Sequence, residues 1–230
     1  MRSNLLVGIS SAVAAVAVAG SANAGVVDPF TTNQSFGTSA TSWTNLSGAL
    51  FDQRNARRVN NGGGTGVSSA NNNVAFTLAR SGSSPSQIAL NYQMSGGAPK
   101  DLSSIASMSI ALSALNLNVL GGTAATGVEF EWQLQDENFN YMGTTQILST
   151  NGTSTFNFAS ADYVDPGFDL TKATYFSLIV SQVGGSTSGS YSTISSSGTL
   201  SNFSYTLVPA PGAIALLGAA GLVGGRRRKA

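Results

Sequence analysis

The 230-residue chain has no cysteine and no histidine. Without cysteine it forms no disulfide and carries no thiolate nucleophile. Without histidine it holds no Ser-His-Asp triad, no Cys/His zinc site and no histidine-ligated haem. Charge is also scarce: charged residues make up 9% of the chain, against about 25% in a typical soluble domain. The 11 Lys+Arg nearly balance the 10 Asp+Glu, for a formal charge of +1. That balance lacks the basic excess of a nucleic-acid binder, so no nucleic-acid partner is expected. Long heptad or 3.6-period stretches and fixed-period repeats are missing too. What remains is carboxylate chemistry, neutral polar binding, or a structural role.

The basic residues concentrate at the ends. The start, MRSNLLVGISSAVAAVAVAGSANAGVVD, places Arg2 before an apolar run from Leu5 to Ala19 and then Ala22-Asn23-Ala24. A short positive region, an apolar core and small residues at Ala22 and Ala24 are the marks of a secretory signal peptide cut by signal peptidase after Ala24. The other end, VPAPGAIALLGAAGLVGGRRRKA, sets Pro209 and Pro211 before an uncharged run from Ala213 to Gly225. Arg226, Arg227, Arg228 and Lys229 follow as a cationic stop. As a helix the apolar run reaches only about 20 Å, short of the ~30 Å hydrocarbon core. It reads as a short hydrophobic helix and a weak transmembrane anchor, with its basic end held in the cytoplasm.

This tail resembles a PEP-CTERM sorting signal, the tripartite tag of exported bacterial proteins handled by exosortase. The resemblance rests on Pro209, Pro211, the apolar run and Arg226, Arg227 and Arg228. Ala210 stands where the family usually has Glu. The resemblance implies an exosortase-like partner, an inner-membrane intermediate held by the C-terminal segment, and delivery to the cell surface or outside. Three regions are therefore expected: a signal peptide over 1–24, a folded domain over 25–208, and a sorting segment over 209–230. Export without any cysteine fits a protein that does not depend on periplasmic oxidation. Removing both ends takes away five basic residues (Arg2, Arg226, Arg227, Arg228, Lys229), leaving six Lys+Arg against 10 Asp+Glu, a mature charge of −4.

The body alternates apolar and polar residues over short runs, the pattern of half-buried strands. The runs are Val74–Leu78, Ile88–Met94, Met108–Leu112, Val128–Leu134, Phe156–Phe158, Phe176–Val180 and Phe203–Leu207. Gly-, Asn-, Ser- and Pro-rich clusters separate them, among them Asn60–Gly66, Ser81–Pro85, Gly96–Pro99 and Asp165–Gly167. These supply turn conformations. Seven to nine strands predict an all-β single sandwich, with the long spacings favouring a jelly roll. The order of elements is also similar to jelly-roll domains of the galactose-binding, carbohydrate-module type. The likeness rests on Asp101-Leu102-Ser103 after Tyr92, and on Asp169-Leu170-Thr171 before Tyr175–Gln182.

Carboxylates are the remaining acid–base groups. Glu129 and Glu131 are two apart on one predicted strand, so they share a face roughly 7 Å apart. Glycosidase pairs span about 5–9.5 Å but commonly face each other across a cleft. These two, followed by Gln133 and Gln135, suit a solvated or sugar-binding face better than catalysis. Trp43 is the freer of the two tryptophans for stacking on a sugar; Trp132 falls on an apolar face and reads as core. Asp162, Asp165 and Asp169 are the candidate ligands of a structural calcium ion, although their spacing is not that of an EF-hand. No other cofactor is expected. Asp136, Glu137, Asn138 and Asn140 read as a solvated hairpin turn. Arg54, Arg57 and Arg58 read as a charged surface strand or edge that discourages aggregation, with contact to acidic polysaccharide or phosphate as the alternative. The expected function is an exported cell-surface or extracellular-matrix structural protein without enzymatic activity. The alternative is a module that binds extracellular polysaccharide, and a glycan-cleaving enzyme ranks last.

Overall fold

A computed structural model describes residues 24–32, 43–59, 66–70, 72–80, 87–120, 122–187 and 193–208. The N-terminal segment up to residue 23 and the tail from 209 lie outside the described residues, and with them the signal peptide, the sorting segment and both terminal helices expected from the sequence. Along the rest the chain forms β1 (Ala24–Asp28), β2 (Thr44–Asn45), β3 (Gln53–Val59), β4 (Gly66–Ala70), β5 (Asn73–Arg80), β6 (Gln87–Gln93) and β7 (Ile105–Leu120). It continues with β8 (Gly122–Asp136), β9 (Tyr141–Leu148), β10 (Gly152–Asn157), β11 (Tyr163–Val164), β12 (Ala173–Thr187) and β13 (Thr193–Leu207). No helix among the described residues is long and apolar enough to cross a membrane.

The strands form two antiparallel sheets. One runs β10-β7-β13-β5-β4, with β1 continuing the β5 side of β13. The other runs β11-β9-β8-β12-β6-β3-β2. The pairs β5–β13, β6–β12, β7–β10 and β8–β9 are the two arms of one long hairpin. Its successive pairs alternate between the sheets, which is the winding of a jelly roll. The expected β-sandwich is therefore present.

The alternating runs of the sequence fall on strands except at Met94 and Phe158, the last residues of two of them, and their buried apolar members point between the sheets. Phe130, Trp132 and Leu134 of β8 meet Phe176, Leu178 and Val180 of β12 in one buried cluster with Phe156 and Phe203. Trp132 is fully buried, and its indole N–H donates to Ser154 Oγ at 2.8 Å. That bond satisfies the one polar atom such a residue brings into a core. The Phe156–Phe158 run is a strand only as far as Asn157. Phe158 enters a 3-10 turn, whose first N–H donors include Ala159 N, bonded to Asn157 Oδ1 at 3.0 Å.

A buried clamp joins the sheets. Asp28 of β1 and Arg54 of β3 belong to different sheets, and their side chains meet at 2.5 Å with no exposure. Tyr92 of β6 donates its hydroxyl to the same carboxylate oxygen at 3.0 Å. Phe30 N donates to the other oxygen at 2.7 Å. Arg54 also donates to Thr32 O at 2.7 Å and lies 5.5 Å from the Phe30 ring centre. This corrects the surface reading of the arginine cluster. Arg54 falls on the inward parity of β3 and is core, because a carboxylate, a carbonyl and an aromatic face together solvate it.

Candidate functional site

On β8 the residues between the buried ones point outward, and the ladder extends their row onto neighbouring strands. Gln133 lies beside Ser177 of β12 and Gly143 of β9. Ser177 in turn pairs with Asn91 of β6, which pairs with Asn55 of β3. One row away lie Gln53, Gln93, Tyr175, Gln135 and Tyr141. In the opposite direction lie Arg57, Ala89, Ile179, Glu131 and Thr145. The outer face of this sheet is thus a registered array of amides, hydroxyls, phenols, one guanidinium and carboxylates across five strands.

Its side chains hold one another in place. Ser177 donates to Asn91 Oδ1 at 2.9 Å, and both are nearly inaccessible, 4% and 3% exposed. Gln135 donates to the Tyr141 hydroxyl at 2.9 Å, and Gln93 to Gln53 Oε1 at 3.1 Å. Gln133 donates to the Tyr163 hydroxyl at 3.3 Å. Gly143 makes this last contact fit, because a Cβ there would collide with the Tyr163 hydroxyl and with the Trp132 carbonyl. Burial pushes the Tyr163 phenol up, and the Glu131 and Asp165 charges add to that rise against the Gln133 hydrogen bond. Burial likewise pushes Tyr175 up, to about 12, against the opposing charge of Arg57.

Trp43 precedes β2 and shares the outward parity of Asn45, which accepts from Gln53 Nε2 at 3.1 Å. Its ring meets Tyr175 edge-on at 6.4 Å and is 36% exposed. The three sugar-binding candidates, Trp43, Glu129 and Glu131, therefore occupy one face of one sheet. Glu129 and Glu131 succeed each other along β8 on an open strand face; they do not oppose each other across a cleft. Two surface hollows lie elsewhere. One of about 290 Å³ is lined by Val26, Asp28, Pro29 and Asn202, and one of about 400 Å³ by Ser103, Phe158, Leu170 and Val208.

The calcium candidates are engaged separately. Asp162 accepts from Thr144 Oγ1 at 2.7 Å and Thr145 N at 2.8 Å. Asp165 accepts from Tyr141 N at 2.9 Å, and Asp169 from Thr171 N at 2.9 Å and Thr171 Oγ1 at 2.7 Å. Among the described residues no group of three or more Asp, Glu, His or Cys side chains is placed to hold a metal ion. Asp162 and Asp165 tie the β11 segment to β9, and Asp169 fixes a local backbone turn. Asp101 and Asp169 do this in the two Asp-Leu-Ser/Thr strings, and the strings themselves meet, with Leu102 N donating to Leu170 O at 2.9 Å.

Asp136 departs from its reading as a solvated turn residue. It is 1% exposed and accepts from Asn138 N, Asn140 N, Asn140 Nδ2 and Asp169 N. Burial alone would raise its carboxyl, but these donors outweigh it and hold the group below the usual carboxylate range. The same turn holds Phe139 at φ 62° and 74% exposed. Glu137 and Lys172 form an exposed ion pair beside it.

Sequence reasoning missed Asn91, Ser177, Gln93, Tyr175 and Tyr163 as members of one face. Their parity was legible; the order of the strands that carry them was not.

No known protein family matches the chain, and no curated protein matches it in sequence. Solved structures to which the chain shows similarity include the agarase AgWH50C, at TM-score 0.39 and 11% identity, covering 64% of this chain and 22% of that one. The protein PfGH50B gives TM-score 0.41 and 8% identity over 64% of this chain and 22% of its own. An exo-β-agarase gives TM-score 0.42 and 12% identity over 80% of this chain and 25% of its own. The chain thus spans about a quarter or less of the length of these structures. At this similarity nothing about activity passes from those proteins to this chain, which is described by its architecture, a two-sheet β-sandwich.

Proposed function

We propose that the protein is exported, reaches the cell surface or extracellular matrix through its PEP-CTERM-like tag, and there binds polysaccharide along the outer face of the β3-β6-β12-β8-β9 sheet. The observation that carries the binding reading is the registered polar array with Trp43 and Tyr175 at one side of it. Sugars present hydroxyls and apolar C–H faces alternately. Amides and carboxylates in fixed positions answer the hydroxyls, and the exposed ring of Trp43, braced edge-on by the part-buried Tyr175, answers the C–H faces. Mutual hydrogen bonds pre-order these groups, so little side-chain entropy is lost when a ligand arrives.

The role is to hold a polymer, not to cleave it. Glu129 and Glu131 share one open strand face, where neither is set across a bound glycosidic bond from the other. The test has two readouts. In affinity electrophoresis through gels containing host matrix polysaccharide, the mature domain is retarded, and Trp43→Ala together with Tyr175→Ala abolishes the retardation. In parallel, no reducing ends appear when the polymer is incubated with the protein. Retardation that survives the double substitution overturns the binding face. Release of reducing ends that ceases in Glu129→Gln/Glu131→Gln overturns the non-enzymatic reading.

A further inference from the structure

Arg57 is the cation of the polar face. It lies half-buried on β3, in the row of Ala89, Ile179 and Glu131. The ion pairs among the described residues are Asp28–Arg54 and Glu137–Lys172, and neither uses Arg57. Its Nε is buried from solvent and has no hydrogen-bond partner. One row further along the same face, Ser181 is 4% exposed and its hydroxyl is also unpartnered. Buried donors without acceptors are rare in folded proteins and mark places where another group belongs. A half-buried guanidinium lacking a carboxylate is equally uncommon in a domain where acids outnumber bases. Arg57 lies two rows from Tyr175 on the same face, and its charge opposes the rise of the Tyr175 phenol. Glu131 stands three strand spacings away, about 14 Å. The face therefore has a donor-rich, cationic side and an acceptor-rich, anionic side.

Resting on the binding reading above, we infer that the polysaccharide is acidic and crosses the strands, with a carboxylate or sulfate on one sugar held by Arg57 and hydroxyls of another sugar donating to Glu131. Arg57 supplies the planar N–H fork that matches an oxyanion. The acidic side repels the same anion, so the ligand's charge is wanted at one end only and its register is set.

The test uses two polymers, each with its neutral counterpart: alginate against carboxyl-reduced alginate, and carrageenan against desulfated carrageenan. Affinity electrophoresis of the mature domain should give a dissociation constant about tenfold lower for the acidic member of one pair. Which pair responds distinguishes carboxylate from sulfate. Arg57→Gln should remove that advantage, so that the acidic and neutral members of the pair bind alike. Arg57→Lys should restore it in part, since lysine keeps the charge and loses the fork. An unchanged thermal midpoint for Arg57→Gln shows that the fold is intact. Equal affinity for acidic and neutral members, or indifference to Arg57→Gln, overturns the inference while leaving the binding face standing. Failure of all four polymers and of host matrix polysaccharide to bind removes the face itself.

Discussion

On the outer face of the β7–β13 sheet, Ser107 and Thr206 share a hydrogen bond at 2.8 Å, and Ser109 and Ser204 share one at 3.3 Å. Ser113 donates to the Thr199 carbonyl at 3.4 Å. On the opposite outer face Arg57 Nε and Ser181 Oγ have no partner. Strands β7, β10 and β13 contain no charged residue. Among the described side chains their outward positions are filled by Ser, Thr, Asn and Ala; Phe156 and Phe203 of β10 and β13 point inward to the core. Both faces are polar, and polarity alone does not separate them. What separates them is satisfaction: one face uses its hydroxyls on cross-strand neighbours, while the other keeps donors, charges and rings with capacity to spare.

The largest expected effect comes from releasing the clamp between the sheets that carry these faces. Arg54→Ala leaves Asp28 buried and unpaired and should cost about 3–5 kcal/mol of stability by urea unfolding. Arg57→Ala, three residues along the same strand, should change stability by less than about 0.5 kcal/mol. Equal losses at the two positions would erase the distinction between the inward and outward arginine. Next, Trp43→Ala with Tyr175→Ala should weaken polysaccharide binding by about 2 kcal/mol, the scale of truncating aromatic anchors. Introducing Ser109→Glu and Thr155→Glu on the hydroxyl face should leave binding within about twofold, a change below 0.5 kcal/mol. Gly143→Ala should displace Tyr163 and cost about 1–3 kcal/mol of stability through overpacking, with a smaller loss of binding.

The pH response is expected at the alkaline end. Tyr92 ionises well above its ordinary range because burial and the adjacent Asp28 carboxylate oppose the phenolate, against the Arg54 charge. Tyr175 ionises near 12. A phenol raised in the fold stabilises below the unfolded value of about 10, and that contribution is lost as pH rises through the folded value. Thermal midpoints should therefore hold to about pH 10 and fall above it, and Tyr175→Phe should shrink the part lost between about 10 and 12. At the acid end Asp136, lowered in the fold, contributes fully above its unfolded value of about 4 and loses that contribution as pH falls through its lower folded value. Asp136→Asn should remove that acid-limb slope, and an unchanged slope would show that its hydrogen bonds do not couple to folding.

Much of this architecture is written in the alternation of the chain. Ile88, Leu90 and Tyr92, or Val128, Phe130, Trp132 and Leu134, declare both a strand and its inward side. Strand β9 is not declared. Gly143, Thr144, Thr145 and Gln146 interrupt the apolar period, because its outward side must leave room for Tyr163 and its inward side ends at the sheet's edge. Strand β3 is hidden for a different reason. Its inward positions hold Arg54 and Ala56, and an inward arginine is readable only once Asp28 and Tyr92 are brought to it from elsewhere in the chain. The long strand β7 escapes the pattern past Leu112, where Ala114 takes a positive φ of 51° and the register with β13 shifts. The same holds for the candidate site. Glu129, Glu131 and Trp43 were legible as residue types, but their common face depends on non-local pairing, which short-range periodicity does not encode.

The proposed division of labour is that one sheet face binds and the other does not. Amide chemical-shift mapping of the mature domain, titrated with an oligosaccharide fragment of the polymer that binds most tightly, tests it most directly. The expected result is shifts concentrated at Arg57, Asn91, Gln133, Tyr175, Ser177 and Ser181, with Ser107, Ser109, Ser204 and Thr206 unmoved. Shifts confined to the hydroxyl face, or spread equally over both, would contradict it.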